Sequence, residues 1–270
     1  MICASREFNL RILLTNDDGI QSPGLWAVAN ALKEVGDLTI VAPDRDQSGM
    51  ASAMTLLRPL LVEEIPPRIP NIGRVFVVDG TPADCVIIAT EQIFEEPFDL
   101  VVSGINQGAN TGIDVFNSGT FGAAMHGYFR GINAIALSVY YTDEVKYEPA
   151  ALIGAGLAQS VASLGIDQSV LLNVNLPACD TEVIQGVDCT VLGRKAFLEN
   201  VEKIQKGRRS YYWIHHNKLV DSEIVEGTDV WSIKNNRVSI TNVEPEVLMG
   251  SSDTRMDIFR ESAIRSLGIS

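Results

Sequence analysis

The sequence lacks several features that would assign it to a common class of protein. No stretch approaches the roughly 18 consecutive apolar residues that a membrane-spanning helix needs. Residues 1–10 include Arg6 and Glu7 and have no continuous apolar core, so they do not resemble a secretory signal. We therefore expect a soluble, cytoplasmic protein that has no membrane partner.

Cysteine and histidine are scarce, and their spacing does not match a zinc site or a disulfide framework. The chain has four cysteines and three histidines, with no Cys-x-x-Cys pair. We expect reduced thiols, with Cys85 in the core. His126 falls about two turns into a predicted helix, where a structural role is expected. His215 and His216 follow an aromatic strand and are expected at the surface or at an interface.

Positive charge is also in short supply. Lysine and arginine total 21 against 34 aspartates and glutamates, which gives a formal net charge of -13. Binding to a nucleic-acid polymer depends on clustered cations, so this charge argues against such a partner. A small phosphorylated substrate remains compatible, provided that a metal ion or local cations reverse the field at one site.

The first two thirds of the chain alternate between apolar strands and helices. Near-continuous apolar strands separated by helices are typical of a mostly parallel sheet that is covered on both faces. Thr81 has the features of a helix N-cap, because Pro82 and Asp84 follow it. The predicted strands are 10–15, 38–42, 74–78, 100–103, 134–139 and 170–174, and the helices between them are 25–35, 82–94 and 150–164.

After Pro177 the pattern changes to one that favours projecting β-hairpins, which commonly serve subunit contact. Residues 211–213 are aromatic; we expect a packing surface there, and stacking on a base stays open as the alternative. We expect a single domain over 1–270, with a core at about 9–180 and an appendage at about 181–270. The predicted elements of this appendage are strands at 187–192, 210–215, 230–233 and 237–241, a turn at Asn235-Asn236, and a closing helix at 253–267.

Acidic side chains directly follow the first predicted strand. Ligands of an open parallel sheet bind beyond the carboxyl ends of its strands, so the loops that leave the strands are the candidate sites. Asp17 and Asp18 are adjacent and Gly19 follows them. Two neighbouring carboxylates repel each other, and a cation would relieve that repulsion. An isolated Asp-Asp-Gly is more often a solvated turn, but its position directly after a buried strand favours a cation site.

Two further loops offer groups of the same kind. The loop after the second strand contains Ser48, a neutral oxygen, and Arg45, whose planar guanidinium suits phosphate. The loop after the fourth strand contains the amides Asn106 and Asn110 and leads to the start of a helix, whose free N–H groups attract anions. Taken alone, each would be a flexible polar loop or a helix cap. The helix start comprises Ser118, Gly119 and Thr120.

Together these loops predict one divalent cation per subunit, with Mg²⁺ or Mn²⁺ as the expected ion. Hard oxygen ligands suit such ions better than zinc or iron. The cation would polarise a phosphoryl oxygen and orient or acidify a water molecule. Asn110 and the helix start would hold the other phosphate oxygens as charge develops. The predicted metal ligands are Asp17, Asp18, Ser48 and Asn106.

Four segments of the chain resemble the SurE family of 5′/3′-nucleotidases, and they occur in the family's order across about residues 10–138. The segments are ILLTNDDGIQSPGL, VAPDRDQSG, DGTPADCV and DLVVSGINQGANTGIDVFNSGTFGAAMHG, followed by weaker matches at YYWI, EGTD and RVSIT. The resemblance implies a Rossmann-like α/β sandwich, a homodimer or homotetramer built through hairpins, and metal-dependent dephosphorylation of nucleoside monophosphates.

The resemblance also implies roles for individual residues. The family's metal ligands correspond to the four predicted here. Its phosphate-side residues correspond to Asn110, Ser118, Gly119 and Thr120, and we take Asp17, Asp18 and Asn110 as the catalytic set. The loop after the second strand departs from the family, because Asp46-Gln47 stands where Asn-Arg is usual. Compared with the family, the site thus loses one cation and gains one anion. This difference leaves the substrate preference open, and the prediction of metal binding is unaffected.

Two other functions share parts of this pattern. A non-enzymatic phosphoacceptor or regulatory module also places adjacent acids after its first strand, but such modules are far shorter and need a lysine that is missing near Ser138. A haloacid-dehalogenase-type phosphatase needs an Asp-x-Asp nucleophile, which Asp17 does not begin. We expect direct attack by water, and the sequence leaves a covalent aspartyl-phosphate open.

Overall fold

The computed structural model describes residues 10–164, 169–194, 197–219 and 224–245, and the single residues 260 and 266. None of the helices in this part of the chain is long and apolar enough to cross a membrane. The strands of the described residues are β1 (Leu10–Thr15), β2 (Gly36–Pro43), β3 (Val62–Ile65), β4 (Val75–Val78), β5 (Leu100–Gln107), β6 (Asn133–Val139), β7 (Leu171–Leu176), β8 (Val187–Cys189), β9 (Phe197–Lys206), β10 (Arg209–Leu219) and β11 (Val238–Asn242). The α-helices are α1 (Pro23–Leu32), α2 (Pro82–Ile88), α3 (Gly119–Tyr128), α4 (Glu148–Leu164) and α5 (Asp229–Lys234).

Nine strands form one sheet, in the order β3-β4-β2-β1-β5-β6-β7-β11-β8. The six strands from β4 to β7 are parallel to one another. From β1 the chain proceeds outward through β2 to β4, and from β5 it proceeds the other way through β6 to β7. The order therefore reverses between β1 and β5, and an open α/β sheet forms its ligand crevice at such a reversal.

Helices cover both faces of this sheet. Successive side chains of a strand point to opposite faces, and β1 shows the result. Ile12 and Leu14 are fully buried in a cluster with residues of α1 and α4. Leu13, between them, is fully buried in a second cluster with residues of α2 and α3. The predicted three-layer α/β sandwich is confirmed, with two cores that one sheet separates.

Helix α2 begins as its sequence predicts. The Thr81 side chain accepts a hydrogen bond from the Asp84 N–H (3.1 Å), and the Asp84 carboxylate accepts one from the Thr81 N–H (2.9 Å). This reciprocal capping box satisfies two N–H groups that the helix leaves without a partner. Cys85 follows and is fully buried, as expected of a core thiol, and its burial raises its pKa well above the ordinary value.

The last third of the described chain contributes to the main sheet and also forms a separate hairpin. Strand β11 pairs antiparallel with β7, and β8 pairs parallel with β11, so both extend the sheet instead of projecting from it. Strands β9 and β10 pair only with each other, as an antiparallel hairpin. The predicted C-terminal hairpin is thus present. The predicted closing helix at 253–267 lies outside the described residues, apart from residues 260 and 266.

The prediction of a strand at 230–233 is wrong, because these residues lie in helix α5. Thr228 caps this helix by accepting a hydrogen bond from the Trp231 N–H (3.3 Å). Asn236 has a φ of 52°, the left-handed conformation that commonly follows the end of a helix. A four-residue segment with three apolar side chains fits both periodicities, and here the cap and the terminating residue decide in favour of the helix.

Two glycines provide a test of the packing. A Cβ on Gly36 would lie 2.1 Å from the carbonyl oxygen of Leu10, its partner on β1, whereas a Cβ on Gly156 in α4 would meet nothing within 4 Å. We expect Gly36→Ala to lower the free energy of unfolding by about 1–3 kcal/mol through overpacking. Gly156→Ala should raise it by about 0.5–1 kcal/mol, because alanine restricts the unfolded chain and favours the helix. Urea denaturation measures both changes, and equal effects of the two substitutions would contradict the described packing.

Candidate functional site

Asp17 lies just beyond the end of β1 and is almost fully buried, with 3% of its surface exposed. Its carboxylate accepts hydrogen bonds from the backbone N–H of Thr120 (3.0 Å) and from the Thr120 hydroxyl. A Cβ on Gly119 would lie 2.9 Å from the Cβ of Asp17, so this close approach of α3 requires glycine. Burial raises the pKa of Asp17, although the bonds from Thr120 oppose that shift.

Asp18 is less deeply buried than Asp17. Burial, together with the neighbouring charge of Asp17, raises the pKa of Asp18 to about 7. The charge of Asp46 acts in the same direction on both carboxyl groups. The backbone N–H of Gln107 lies 3.4 Å from the Asp18 carboxylate and opposes the shift only in part. The negative charges of Asp17 and Asp46 therefore both act on Asp18, and a cation nearby would favour the ionised form of the Asp18 carboxyl group.

The loop after β2 is attached to this pair. The Gln47 N–H donates to the carbonyl oxygen of Asp17 (2.7 Å). Asp46 accepts hydrogen bonds from both the N–H (2.7 Å) and the hydroxyl (2.6 Å) of Ser48. A hydroxyl that donates keeps its lone pairs, so the Ser48 oxygen can still bind a cation. Asp46, one of the two residues at which this loop departs from the family it resembles, thus orients Ser48.

Asn106 belongs to β5, which continues to Gln107 and not only to residue 103 as predicted. Its amide nitrogen donates to the carbonyl oxygen of Gly108 (2.6 Å). That bond assigns the nitrogen to the Gly108 side and leaves the amide oxygen for another partner. Asn106 is buried near the end of β5, the strand next to β1. The reversal of strand order between β1 and β5 thus brings it to the same cavity as Asp17.

Asn110 is held by four hydrogen bonds. Its N–H donates to the Asn175 side-chain oxygen (2.7 Å), and its side-chain nitrogen donates to the Ser138 hydroxyl (2.9 Å). Its carbonyl oxygen accepts from the side-chain nitrogens of Asn173 (2.8 Å) and Asn175 (3.0 Å). Ser138, Asn173 and Asn175 are fully buried on β6 and β7. The sheet itself therefore fixes the position of Asn110.

The helix start at residues 118–120 lies where the sequence predicts it. Ser118 is the N-cap of α3, and its hydroxyl oxygen accepts from the Phe121 N–H (3.1 Å). Both donors of Thr120 are directed at Asp17 and not at open space. The helix terminus was expected to hold phosphate, but part of it binds the Asp17 carboxylate. The N–H groups of a helix terminus stabilise this anion as they would stabilise a phosphate.

The structure does not bring Arg45 to the other candidates. Its side chain is two-thirds exposed, and the guanidinium lies 3.6 Å from the Asp44 carboxylate. Arg45 does not line the cavity described below. Its predicted contact with substrate stays a prediction.

A cavity of about 750 Å³ connects most of the candidate residues. This volume lies within the range of small-molecule sites. Asp18 and Thr120 are not among the lining residues; Asp18 contacts Gln107, and Thr120 contacts Asp17. The predicted residues that line the cavity are Asp17, Ser48, Asn106, Asn110 and Ser118.

Ten residues of the cavity wall were not predicted as site residues, and four of them lie outside the loops described so far. Tyr140 and Tyr141 directly follow β6, so the rule that led to Asp17 and Asn106 would have found them as well. Ile214 and His215 come from the hairpin strand β10. His215 was expected at the surface or at an interface, and no signal in the sequence relates the hairpin to this cavity.

Two other polar side chains have structural roles, and for His126 such a role was expected. His126 is buried on α3, and its ring nitrogen lies 3.5 Å from the carbonyl oxygen of Ser52. Asp79 accepts a hydrogen bond from the Leu61 N–H (2.7 Å) and forms an ion pair with Arg58. Both anchor the segment between β2 and β3, and neither lines the cavity.

The available ligands fit a hard divalent cation. Within the described ranges there is no group of three His, Cys, Asp or Glu side chains arranged to hold a metal ion. A cation here would therefore depend on two carboxylates supplemented by serine and asparagine oxygens. Such a set suits Mg²⁺, Mn²⁺ or Ca²⁺ and does not suit zinc, which prefers histidine and cysteine.

Fold and cavity together define a doubly wound α/β protein with an acidic, oxygen-lined crevice at the point where its strand order reverses. The chain belongs to the SurE family: the family model described as "Survival protein SurE" matches residues 12–199.

Relatives and a solved structure agree with this assignment. The chain is 43% identical over 234 residues to the 5′-nucleotidase SurE of Dehalococcoides mccartyi (strain CBDB1), a match that covers 86% of this chain and 88% of that protein. It is 39% identical over 251 residues to the 5′-nucleotidase SurE of Vibrio parahaemolyticus, covering 92% and 93%. The crystal structure of the SurE protein from Aquifex aeolicus superimposes with a TM-score of 0.73 at 37% identity, covering 86% and 92%.

The carboxylate pair predicts a pH-dependent stability for the metal-free protein. Folding raises the pKa of Asp18 from 3.8 to about 7, so the folded state favours the protonated form. The contribution of Asp18 to the free energy of unfolding should therefore be most favourable below about pH 4, fall as the pH rises to about 7, and then level off. Urea denaturation in EDTA between pH 4 and 8 measures this slope. Asp18→Asn should flatten the curve, whereas an unchanged slope in that variant would mean that another group is responsible.

Proposed function

We propose that this chain is a metal-dependent 5′-nucleotidase that converts nucleoside 5′-monophosphates to nucleoside and phosphate, with 3′-monophosphates as possible further substrates. One observation carries the proposal: Asp17, Ser48, Asn106 and Asn110, from the ends of β1, β2 and β5, line one cavity in a chain whose relatives bear the name 5′-nucleotidase. Its size fits a small phosphate ester, and its oxygen ligands fit the cation that such chemistry uses.

The residues that would hold the cation are Asp17, Asp18, Ser48 and Asn106. Mg²⁺ and Mn²⁺ are the favoured ions, because they prefer carboxylate, amide and hydroxyl oxygens. When bound, such an ion supplies charge stabilisation for a phosphoryl group and lowers the pKa of a coordinated water.

The side chains of the protein supply the remaining functions. Asp18, the more accessible carboxylate, is placed to orient the attacking water and to accept its proton. The Asp17 carboxylate accepts two hydrogen bonds from Thr120, so its orientation would stay fixed during phosphoryl transfer. Asn110 uses one amide hydrogen on Ser138 and has a second for a phosphate oxygen. Ser118 supplies a hydroxyl at the positive end of α3.

We further propose a cytoplasmic homo-oligomer, a dimer or a tetramer, that forms through the β9–β10 hairpin. Several large apolar side chains of this hairpin are exposed, and such patches commonly mark subunit contacts. The net charge of -13 argues against a nucleic-acid partner. The exposed apolar residues of the hairpin are Val201, Tyr211, Tyr212, Trp213 and Ile214.

The test of the proposal is a phosphate-release assay on nucleoside monophosphates with Mg²⁺ or Mn²⁺. We expect Asp18→Asn to lower kcat/KM on the order of 100-fold or more, because removing a ligand weakens a charge stabilisation worth several kcal/mol. Excess EDTA should abolish turnover, and added metal should restore it.

Asp44→Asn is the matched control, because this carboxylate pairs with Arg45 outside the cavity. The control should keep close to full activity, and circular dichroism should show that both variants fold. Full activity of Asp18→Asn, or of the wild type in excess EDTA, would refute the proposal. No observation favours the alternative of a non-enzymatic regulatory module.

A further inference from the structure

A buried carboxylate at the start of α5 lies outside the cavity and yet contacts the loop that carries Asn110. Asp229 has none of its surface exposed and does not line the cavity. Its Oδ2 accepts a hydrogen bond from the N–H of Gly112 (2.7 Å), just beyond Asn110 in the chain. We propose that Asp229 is a positioning residue of the phosphohydrolase, which fixes the phosphate-side loop (residues 108–117) where it can hold the phosphate. This inference rests on the proposed function.

The backbone and the second carboxylate oxygen of Asp229 are themselves fixed. Oδ1 accepts hydrogen bonds from the N–H of Gly193 (2.8 Å) and from the N–H of Val230 (2.8 Å). The N–H of Asp229 donates to the carbonyl oxygen of Val191 (3.1 Å). Asp229 is therefore attached to the segment that follows β8, and it offers Gly112 an acceptor in a fixed place.

The charge of Asp229 depends on these bonds. Burial raises the pKa of its carboxyl group, and the N–H groups of Gly112, Gly193 and Val230 oppose that shift. A carboxylate that accepts several N–H bonds is stabilised in its ionised form. The three N–H groups thus compensate for the burial of the carboxylate, and the carboxylate in turn holds the three segments together.

The phosphate-side loop connects two groups that are proposed to act on one phosphate. Asn110, before Gly112, is fixed to β6 and β7 through Ser138 and Asn175. After Gly112 a short 3₁₀-helix, Gly112–Asn117, leads to Ser118, the N-cap of α3. Gly112 is therefore the joint between Asn110 and Ser118, and its position sets the direction in which the chain leaves Asn110.

The joint is closely packed. Gly112 has a φ of 57°, and a Cβ there would lie 2.4 Å from the carbonyl oxygen of Arg194 and 3.0 Å from that of Gly193. The backbone of Gly112 thus rests directly on residues 193–194, the same segment that donates to Asp229. Closely packed interiors transmit a displacement instead of absorbing it. A change at Asp229 should therefore move the phosphate-side loop.

The proposed metal ligands do not share this anchor. Asp17, Ser48 and Asn106 belong to the ends of β1, β2 and β5, and the three hydrogen bonds of the Asp229 carboxylate go to other segments. Loss of the anchor should therefore weaken the binding of phosphate and leave the binding of a cation unchanged. This difference separates a positioning role from general damage to the fold.

The experiment uses Asp229→Asn in the full chain, because asparagine keeps the shape and replaces one acceptor oxygen with an NH₂ group that cannot accept. We expect kcat/KM for adenosine 5′-monophosphate to fall on the order of 100-fold, the effect that a misplacement of about 1 Å can have. The Kd for inorganic phosphate with Mg²⁺ present should rise roughly tenfold, the effect of losing a hydrogen bond to a charged group. Both Kd values come from calorimetric titration, and the Kd for Mn²⁺ alone should equal that of the wild type.

Asp188→Asn is the matched control. Asp188 accepts a hydrogen bond from Ser232 of α5 (2.8 Å) and forms an ion pair with Arg237 (2.6 Å). It thus attaches the same part of the chain through partners that do not belong to the phosphate-side loop, and its three measured values should match the wild type. Equal kcat/KM in Asp229→Asn and Asp188→Asn overturns the proposal. So does a Kd for Mn²⁺ that rises as much as the Kd for phosphate, because Asp229 would then have only a structural role.

Gly193→Ala tests the same contact without removing the carboxylate. Its Cβ would lie 3.1 Å from Asp229 Oδ1 and 3.0 Å from the Val230 side chain. We expect a smaller fall of kcat/KM than in Asp229→Asn, and Gly156→Ala, whose Cβ meets nothing within 4 Å, should show none. If circular dichroism shows that Asp229→Asn does not fold, this pair decides. Equal kcat/KM in the two alanine variants then overturns the positioning role.

The two proposals fail in different ways. If the wild type releases no phosphate from nucleoside monophosphates with Mg²⁺ or Mn²⁺, the proposed function itself is wrong. If the wild type releases phosphate and Asp229→Asn does so with the same kcat/KM, the phosphohydrolase stands and the positioning role of Asp229 is overturned.

Discussion

The constraint on which the rest of the site depends is the placement of two adjacent carboxyl groups at the buried end of β1. Asp17 is almost inaccessible to water, and the pKa of Asp18 is raised to about 7. Both shifts have burial as their largest cause, and mutual repulsion adds to the shift of Asp18. A protein keeps such an arrangement only where the surrounding groups compensate for it, and strongly perturbed carboxyl groups in a cleft are typical of functional sites. Here Thr120 and Gln107 provide part of the compensation, and a cation bound by the oxygen ligands would provide more.

The reversal of strand order makes this placement possible. Because β1 and β5 are neighbours, Asp18 and Gln107 meet although 89 residues separate them. The next strands of the same edge, β6 and β7, hold Asn110 through Ser138 and Asn175. One edge of one sheet thus supplies the proposed metal ligands and fixes Asn110, the proposed phosphate-side residue. Helix α3 adds its N-terminus at the same place, and Gly119 allows it to approach Asp17 closely.

The parts that sequence reasoning predicted correctly are those whose causes are local. Continuous apolar runs identify the buried strands of a parallel sheet, and a Thr-Pro-x-Asp start identifies α2. The strand-exit rule then places Asp17, Ser48, Asn106 and Asn110 near one another without any knowledge of their distances. The resemblance to the SurE family added the proposed roles of these residues, and the family assignment confirms the resemblance.

The parts that were missed depend on contacts between distant segments. The run at 230–233 fits a strand as well as a helix, and the cap at Thr228 decides for the helix. The two donors of Thr120 bind Asp17 because α3 packs against β1, which no local pattern reveals. The position of Ile214 beside the cavity depends on where the hairpin folds back. The apolar pattern of the hairpin sequence is equally compatible with a subunit contact alone.

The bond between Asp17 and Thr120 has a consequence for how the protein reaches its functional state. It joins residues 103 positions apart, and contacts of such separation form only after a large loss of chain entropy. A chain that has completed β1 and its helix still lacks the donors that hold Asp17 and the strand that carries Asn106. The site is therefore a late product of folding. A cation bound by these residues would therefore report that the sheet has closed around the strand reversal, and the metal affinity would measure the integrity of the sheet as well as of the loops.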